Sequence, residues 1–558
     1  MALVKKNQRS FTLFGQFVLV IFWSFISNVN AADKSTPSKF RRPKLVVGIV
    51  VDQMRFDYLY RYSKGYTDRG FKRLLREGFS CENAHFDYVP TYTAPGHACI
   101  YTGTTPAVNG IISNEWYDRP SKASVYCVND TSVSAVGTTS VSGKMSPRRL
   151  LSTTITDELR FATNYRSKVI SISLKDRGAI LPGGFSANAA YWHDPYLNNW
   201  VTSTYYMNEL PAWVRDFNAR KLPDSLTSKP WELLLPLAEY SGSTADNSPY
   251  EGSFKGETAP VFPHDLPKLK ATDSELIRRT PMGNTYTLEF VKDAIESERL
   301  GEGAETDFLA FSLSSTDYVG HQFGINALET EDTYLRLDRE LADLIDFIDK
   351  KLGRDNYVLF LTADHGACAN PEFNADHQIP SGNVDESLIR DSLKVFFQRQ
   401  FGDSSLLLNA DATGIFLNRS VMEIKKLDPE KVESLCSQYV LQFDGVSSAW
   451  TGTELSRSLQ RDGIARLVQR GFNFQRSADV CIQLQPGWID WFRKTGTTHG
   501  TSYAYDTHVP VLFFGAGISP GATFLPVSVC DIAPTIASLL HIQEPSGTVG
   551  KPILPVLE

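Results

Sequence analysis

A chain of 558 residues, 42% hydrophobic and 21% charged, has the make-up of a soluble globular protein, either two to four domains or one large domain with insertions. Its formal net charge is −7 and no lysine- or arginine-rich tract interrupts it, which argues against nucleic acid as a partner. An anionic substrate would therefore be drawn by local cations rather than by the field of the whole protein. Seven cysteines (Cys81, Cys99, Cys127, Cys368, Cys436, Cys481 and Cys530) form no C-x-x-C pair, so they do not read as a structural zinc module.

The first residues read as an export signal. Lys5, Lys6 and Arg9 precede an apolar run over Phe11–Ile26, and Val29-Asn30-Ala31 offers small residues before a cleavage point. This gives a signal peptide over 1–31 and a mature chain over 32–558. An uncleaved anchor is the alternative, since the run approaches the ~20 residues of a membrane span. No later stretch is long and apolar enough to be one.

Residues 33–43 read as a polar linker. Leu45–Val51 (LVVGIVV) is a continuous apolar strand ending on Asp52. Tyr92-Thr93-Ala94-Pro95-Gly96-His97 is a turn that runs into a helix start at Pro95. Lys168–Leu174 is a strand followed by Lys175-Asp176-Arg177, and Thr287–Leu300 is helical. Phe308–Leu313 is a strand, followed by Asp317 and His321 one helical turn apart. Thr330–Leu352 is an amphipathic helix with Tyr334, Leu337, Leu341, Leu344, Ile345 and Ile348 on one face and Gly353 as its stop. Val358–Thr362 leads to Asp364-His365-Gly366. His499-Gly500 precedes the run Val511–Phe514, and Asp531–His541 is a closing helix. Strands alternating with helices give an α/β fold with a doubly wound, mostly parallel sheet.

Two stretches break the alternation. Residues 185–283 are loop-rich and aromatic, with Tyr191, Trp192, Tyr196, Trp200, Tyr205, Tyr206 and Trp213. Residues 370–495 hold helices such as Pro429–Gln442, with Asp428 as N-cap and Pro429 at the first helical position. Both read as insertions that cover the carboxyl-end rim of the sheet.

Open parallel sheets build their sites at that rim. Asp52, Asp317, His321, Asp364 and His365 all follow apolar strands, and His499 precedes one. Taken singly, Asp364-His365 reads as a turn, Asp317 and His321 as surface residues, and Thr93 as an ordinary N-cap. Their recurrence at successive strand ends points instead to a metal centre built from oxygen and nitrogen donors, sufficient for two zinc ions. A carboxylate such as Asp52, at the end of a buried strand, is costly unless a cation meets it. Thr93 lies ahead of a helix start, where backbone N–H groups favour an anion, and a metal can make its hydroxyl nucleophilic. His97 reads as a packing or supporting residue and His377 as a non-ligand. His508 reads as orienting His499 or a neighbouring carboxylate.

Together, Asp52, the Thr-Ala-Pro-Gly-His turn at 93–97, Asp317-x3-His321, Asp364-His365-Gly366 and His499-Gly500 resemble the alkaline phosphatase superfamily. Within it they are most similar to the exported, phosphate-irrepressible bacterial type, which uses Thr rather than Ser. The resemblance spans essentially the whole mature chain. It implies two Zn2+ per chain, one held by Asp317, His321 and His499, the other by Asp52, Asp364 and His365 beside Thr93. It implies a Thr93 nucleophile, a phosphothreonine intermediate and net retention at phosphorus. It also implies phosphate binding by Asn114, 21 residues after Thr93, and by Lys175 and Arg177.

In the family the Lys–Arg pair marks monoesterases and is missing from related diesterases. A monoester carries one more negative charge than a diester. Near one cation at ~4 Å and an effective dielectric of ~20, that charge is worth about 4 kcal/mol before desolvation is subtracted. Arg can also bind two oxygens in a planar fork, which a diester's substituent would obstruct. The turn at Thr93 lacks the Arg of the sulfatase motif and the Asp-Ser-Ala of the Ser-type enzymes. The expectation is an exported, periplasmic or secreted zinc phosphatase acting on small phosphate monoesters, with no stable membrane span after signal removal. A phosphodiesterase or nucleotide pyrophosphatase on the same fold, or a non-catalytic envelope binding protein, are the alternatives. Oligomeric state, disulfide pairing and any Mg2+ or Ca2+ site are left open by the sequence.

Overall fold

The computed structural model describes residues 42–411, 413–491 and 493–558. The expected signal peptide over 1–31 and most of the linker lie outside the described residues.

A ten-stranded sheet carries the fold. Its strands, in chain order, are β1 (Leu45–Val51), β2 (Phe79–Cys81), β3 (Ala135–Val136), β4 (Val169–Ser173), β5 (Ala189–Asp194), β6 (Asn199–Ser203), β7 (Asp307–Leu313), β8 (Tyr357–Thr362), β9 (Val511–Gly515) and β10 (Gly521–Thr523). In space they run β10-β2-β9-β8-β1-β7-β4-β5-β6-β3. The five central strands, β8 through β5, are mutually parallel. β9 and β6 turn the flanks antiparallel. The sheet is thus α/β and mostly parallel at its centre, as the alternation of apolar runs implies.

Register places the site. Val51 of β1 pairs with Leu313 of β7, and Val50 with Thr362 of β8. Ser312 of β7 pairs with Ser173 of β4. The residues just beyond these pairs, at 52, 314–321, 363–365 and 174–177, therefore emerge at one rim. β9 runs the other way, with Val511 opposite Thr362. Its start, not its end, meets that rim, which is why His499 precedes its strand while the other ligand candidates follow theirs.

Every residue of β1 is buried, because helices cover both faces. The helix over Leu328–Leu352 lays Tyr334, Leu337, Leu341, Leu344, Ile345 and Ile348 into that core. Its first turns bury charged residues instead, each with partners. Asp332 accepts from Trp231 Nε1 (2.7 Å) and Leu234 N (2.8 Å), and Asp338 from Phe71 N (2.8 Å).

Residues 189–203, expected to belong to a rim-covering insertion, form β5 and β6 of the central sheet. Their aromatics serve the core: Trp200 stacks on Phe290, with ring centroids 4.5 Å apart. The rest of that stretch packs a smaller cluster of Trp231, Phe254 and Leu266 against Val319 and Phe323. Residues 370–495 contain a separate four-stranded antiparallel sheet in the order Leu407–Asp411, Gly414–Leu417, Val480–Leu484, Val446–Thr451. It has its own core, including Leu393, Phe397, Ile415, Val432 and Val480. In the helix Pro429–Val440, Asp428 accepts from Glu430 N and Pro429 begins the helix, as the sequence suggests. The two stretches meet where Tyr250 hydrogen-bonds Asp376 at 2.6 Å. Among the buried cysteines, Cys99 and Cys530 bring their sulfurs 3.0 Å apart.

Candidate metal centre

Asp52, Asp317, His321, Asp364, His365 and His499 converge at the rim. His365 Nε2 lies 3.5 Å from Asp52 Oδ1 and 3.5 Å from Asp364 Oδ2. His321 Nε2 is 3.2 Å and His499 Nε2 3.7 Å from Asp317 Oδ1. The rings of His365 and His499 stack at 3.4 Å. All six are buried except His321, whose side chain is 25% exposed.

The three imidazoles are aimed alike. Each uses Nδ1 on a backbone carbonyl: His321 on Thr497 (2.8 Å), His365 on Gly366 (2.9 Å) and His499 on Thr91 (2.7 Å). A carbonyl only accepts, so Nδ1 carries the proton and Nε2 is left as a lone pair turned inward. This is how metal-binding histidines are oriented. Burial holds His365 and, more strongly, His499 in the neutral form; for His499 the neighbouring His365 and His321 add to it.

The carboxylates carry the opposite signature. Burial, then Asp364, pushes Asp52 well above the usual carboxylate range. Burial opposes ionisation of Asp317 too, but in the metal-free site a protonated His321, then Lys175, outweighs it and holds that acid well down. Lys175 Nζ stands 2.7 Å from Asp52 Oδ2 and 2.5 Å from Asp317 Oδ2. Three buried carboxylates face one ammonium, so negative charge is in excess. Asp52 Oδ1 and Asp364 Oδ2 are buried without a hydrogen-bond partner. Buried charges of this kind demand cations. The donor set of carboxylate oxygens and imidazole nitrogens suits zinc.

The tightest donor groupings are Asp317–His365–His499 and Asp52–Asp364–His365, which share His365. His321 belongs to neither grouping, although its Nε2 is closer to Asp317 than that of His499 is.

Thr93 opens the helix Thr93–Thr102, with its hydroxyl 3.4 Å from His365 Nε2. Asn114 Oδ1 accepts from Ala94 N at 2.9 Å, which fixes the Asn114 carboxamide beside the threonine. Gly96 lets this helix lie directly on the Asp364 backbone: a Cβ there would meet the Asp364 carbonyl oxygen at 2.2 Å. Arg177 donates to the Tyr126 hydroxyl at 3.0 Å and its Nε is buried without a partner. Thr93, Asn114, Lys175 and Arg177 thus lie on segments at one rim, and Lys175 meets carboxylates there.

Three supporting residues escape sequence reasoning. Gln53, held at φ 63°, donates Nε2 to Asp317 Oδ1 (2.8 Å) and its backbone N–H to Asp364 Oδ1 (3.2 Å). The one signal for it is a polar residue directly after Asp52. Asp506 accepts from Gly500 N (3.1 Å), Thr501 N (2.7 Å) and Thr501 Oγ1 (2.6 Å), shaping the loop that carries His499. Tyr318 lies under Lys175 Nζ, 5.1 Å from its ring centre. His97 does support the centre: Nδ1 is 2.9 Å from Thr93 O and 3.3 Å from Asp364 Oδ2. His508 does not orient His499. It stacks between Phe56 and His85 and contacts the Glu82 carbonyl. His377 stacks on Phe373, away from the centre.

A family model described as type I phosphodiesterase / nucleotide pyrophosphatase matches residues 46–503. The chain is 46% identical to the alkaline phosphatase PhoV of Synechococcus elongatus, over 96% of this chain and 98% of that one. It is 45% identical to the alkaline phosphatase PafA of Elizabethkingia meningoseptica, over 92% and 95%. A protein of Myroides odoratus named calcium-transporting ATPase is 48% identical, over 93% and 96%. The crystal structure of PafA superposes with a TM-score of 0.90, covering 93% of this chain and 99% of that chain.

Proposed function

The chain belongs to the type I phosphodiesterase / nucleotide pyrophosphatase family of the alkaline phosphatase superfamily, and on that premise we propose that it is a zinc-dependent phosphomonoesterase acting through a phosphothreonine. One observation carries the reading. Three buried carboxylates and three imidazoles with inward Nε2 atoms converge within reach of one threonine hydroxyl, with Lys175 between two of the carboxylates.

Asp317, His321 and His499 would hold one zinc, and Asp52, Asp364 and His365 the other. Zinc bound there supplies Lewis acidity to the threonine hydroxyl, to the phosphoryl oxygens and to the leaving oxygen. The chain's own residues do the rest. Thr93 attacks phosphorus in line with the leaving alcohol, and water later releases phosphate from Thr93, so two displacements give net retention. Asn114, pinned by its bond to Ala94 N, turns its amide donor to a phosphoryl oxygen. Lys175 and Arg177 compensate the second negative charge that distinguishes a monoester.

The names of the relatives at 45–46% identity favour monoesters over diesters. A second solved form of PafA, 44% identical, is a mutant at one Thr, one Asn, one Lys and one Arg, the residue types of this proposed set. The name of the Myroides relative fits removal of a terminal phosphoryl group, which also carries two charges; no described helix here is long and apolar enough to cross a membrane. Export follows from the signal-like first 31 residues.

The test is a matched pair of aryl mono- and diesters assayed with zinc, before and after Thr93→Ala. The reading expects a strong monoester preference, a loss of at least about 10³-fold on substitution, close to 4 kcal/mol, and unchanged zinc content. Equal mono- and diesterase activity, or full activity of T93A, would overturn it.

A further inference from the structure

A crevice opens beside this centre. Its inner wall is made by His499, by Tyr92, which precedes Thr93, and by Ser113, which precedes Asn114. The ring of Tyr92 meets that of His499 edge-on at 5.7 Å. The opposite wall comes from the four-stranded sheet over 407–484. The body of the crevice is apolar, with Ile112, Trp116, Phe416, Val468, Phe472 and Ile482. A phosphoryl group reacting at Thr93 would therefore have this space as neighbour to its alcohol.

The polar part of the lining is one-signed. Glu115, Asp411 and Asp490 line it, and no lysine or arginine does among the described lining residues. Asp411 takes three hydrogen bonds, all on Oδ1: Thr413 N (2.9 Å), Thr413 Oγ1 (2.6 Å) and Gly414 N (3.1 Å). Asp490 hydrogen-bonds the side chain of Glu386; burial, then that neighbour, pushes it up to about 7, so it is ionised at alkaline pH. Tyr92, edge-on to His499, lines the same crevice as these acids, so the tyrosine links the reaction centre to them. Carboxylates beside a site for a dianion raise the cost of binding it unless the rest of the substrate brings a positive charge.

We propose that this crevice receives the alcohol part of the substrate, and that Asp411 and Asp490 select leaving groups with an apolar, ring-sized body and a positively charged amine. The inference rests on the phosphomonoesterase reading and adds the substrate class to it. Ring and apolar walls supply contact area, while the amine supplies the positive charge that complements the two acids.

The experiment compares three aryl phosphates of similar leaving-group acidity: 4-(2-aminoethyl)phenyl phosphate, 4-propylphenyl phosphate and 3-(4-phosphonooxyphenyl)propanoate. The expected order of kcat/KM is cation, then neutral, then anion, with about tenfold per step and most of it in KM. In D490N the cation-to-neutral ratio falls towards one. D411N is measured beside it; since Asp411 also holds the turn at Thr413 and Gly414, the neutral substrate and zinc content report whether each variant is folded. Hydrolysis of all three with flat ratios, or ratios unmoved in D490N, overturns the inference while leaving the phosphomonoesterase reading intact. Failure to hydrolyse any of the three overturns both.

Discussion

Gly96 and Asp364 are packed so closely that a Cβ on the glycine would lie 2.2 Å from the aspartate's carbonyl oxygen. The first helical turn after Thr93 is thereby set against the strand end that supplies Asp364 and His365. His97, one residue on, adds a 3.3 Å contact to the Asp364 carboxylate. Position 96 therefore fixes the distance between nucleophile and ligands. Gly96→Ala should push the helix away by a large fraction of an ångström. Displacements of about 1 Å at a reacting atom cost about 10²-fold. We expect kcat to fall by that order, with zinc content and Tm changing much less. Activity within twofold of the parent would show that the contact does not position Thr93.

Removal of metal tests the charge argument. With Asp52, Asp317 and Asp364 buried and Lys175 the one ammonium against them among the described residues, loss of the cations leaves uncompensated negative charge. Exhaustive chelation should abolish monoesterase activity and lower Tm, and zinc should restore both. A ligand at a hundredfold excess over its Kd adds about 2.7 kcal/mol per site to folding stability. A Tm that is the same with and without zinc would mean that the six residues do not bind it.

Lys175 and Arg177 should separate by variant. Arg177 donates to the Tyr126 hydroxyl rather than to a ligand carboxylate, so Arg177→Ala should act mainly on substrate. We expect its monoester kcat/KM to fall by 10-fold or more, out of the about thousandfold that one extra charge can supply, with diesterase activity nearly unchanged. Lys175→Ala also strips Asp52 and Asp317 of their ammonium, so it should lower zinc-free stability as well. Parallel measurement of mono- and diester kcat/KM decides the matter: equal losses on both substrates would remove the charge-discrimination role.

The strands and their ligands were legible because β1, β7 and β8 are buried on both faces and so read as unbroken apolar runs, with the first polar residue marking the rim. What escaped reading has a common cause. Gln53 acts on Asp364, 311 positions away, and Asp506 acts on the His499 loop through a turn with no apolar pattern. Neither contact has any local periodicity to announce it. β5 and β6 were obscured because tryptophan, tyrosine and histidine replace the aliphatic residues of a standard strand, although Trp192 and Trp200 are as buried as any valine. His508 stands near a strand start, as a supporting histidine would, but its ring stacks between Phe56 and His85 rather than against His499.

Stability should fall as pH rises, for a reason outside the metal centre. His264 lies between Glu257 (2.9 Å from Nδ1) and Glu329 (3.1 Å from Nε2). Burial alone would lower it, but the two acids outweigh this and raise it to about 9. Glu329 itself is raised, because its burial outweighs the histidine. Burial, then Glu329, raises Glu251 to about 9 as well. Both groups bind protons more tightly in the fold than in the unfolded chain, where histidine titrates near ~6.5 and glutamate near ~4.3. Their contributions are therefore complete below those values and are lost as pH climbs through about 9. Tm measured from pH 6 to 10 should decline over the whole range and level off above it, by an amount on the order of a few kcal/mol in stability. Glu251→Gln, which keeps the shape and removes the ionisable group, should flatten the decline, and His264→Gln should flatten the arm above pH ~6.5 at a lower overall Tm. A flat or rising profile in the parent protein would rule out this cluster as the source of alkaline sensitivity.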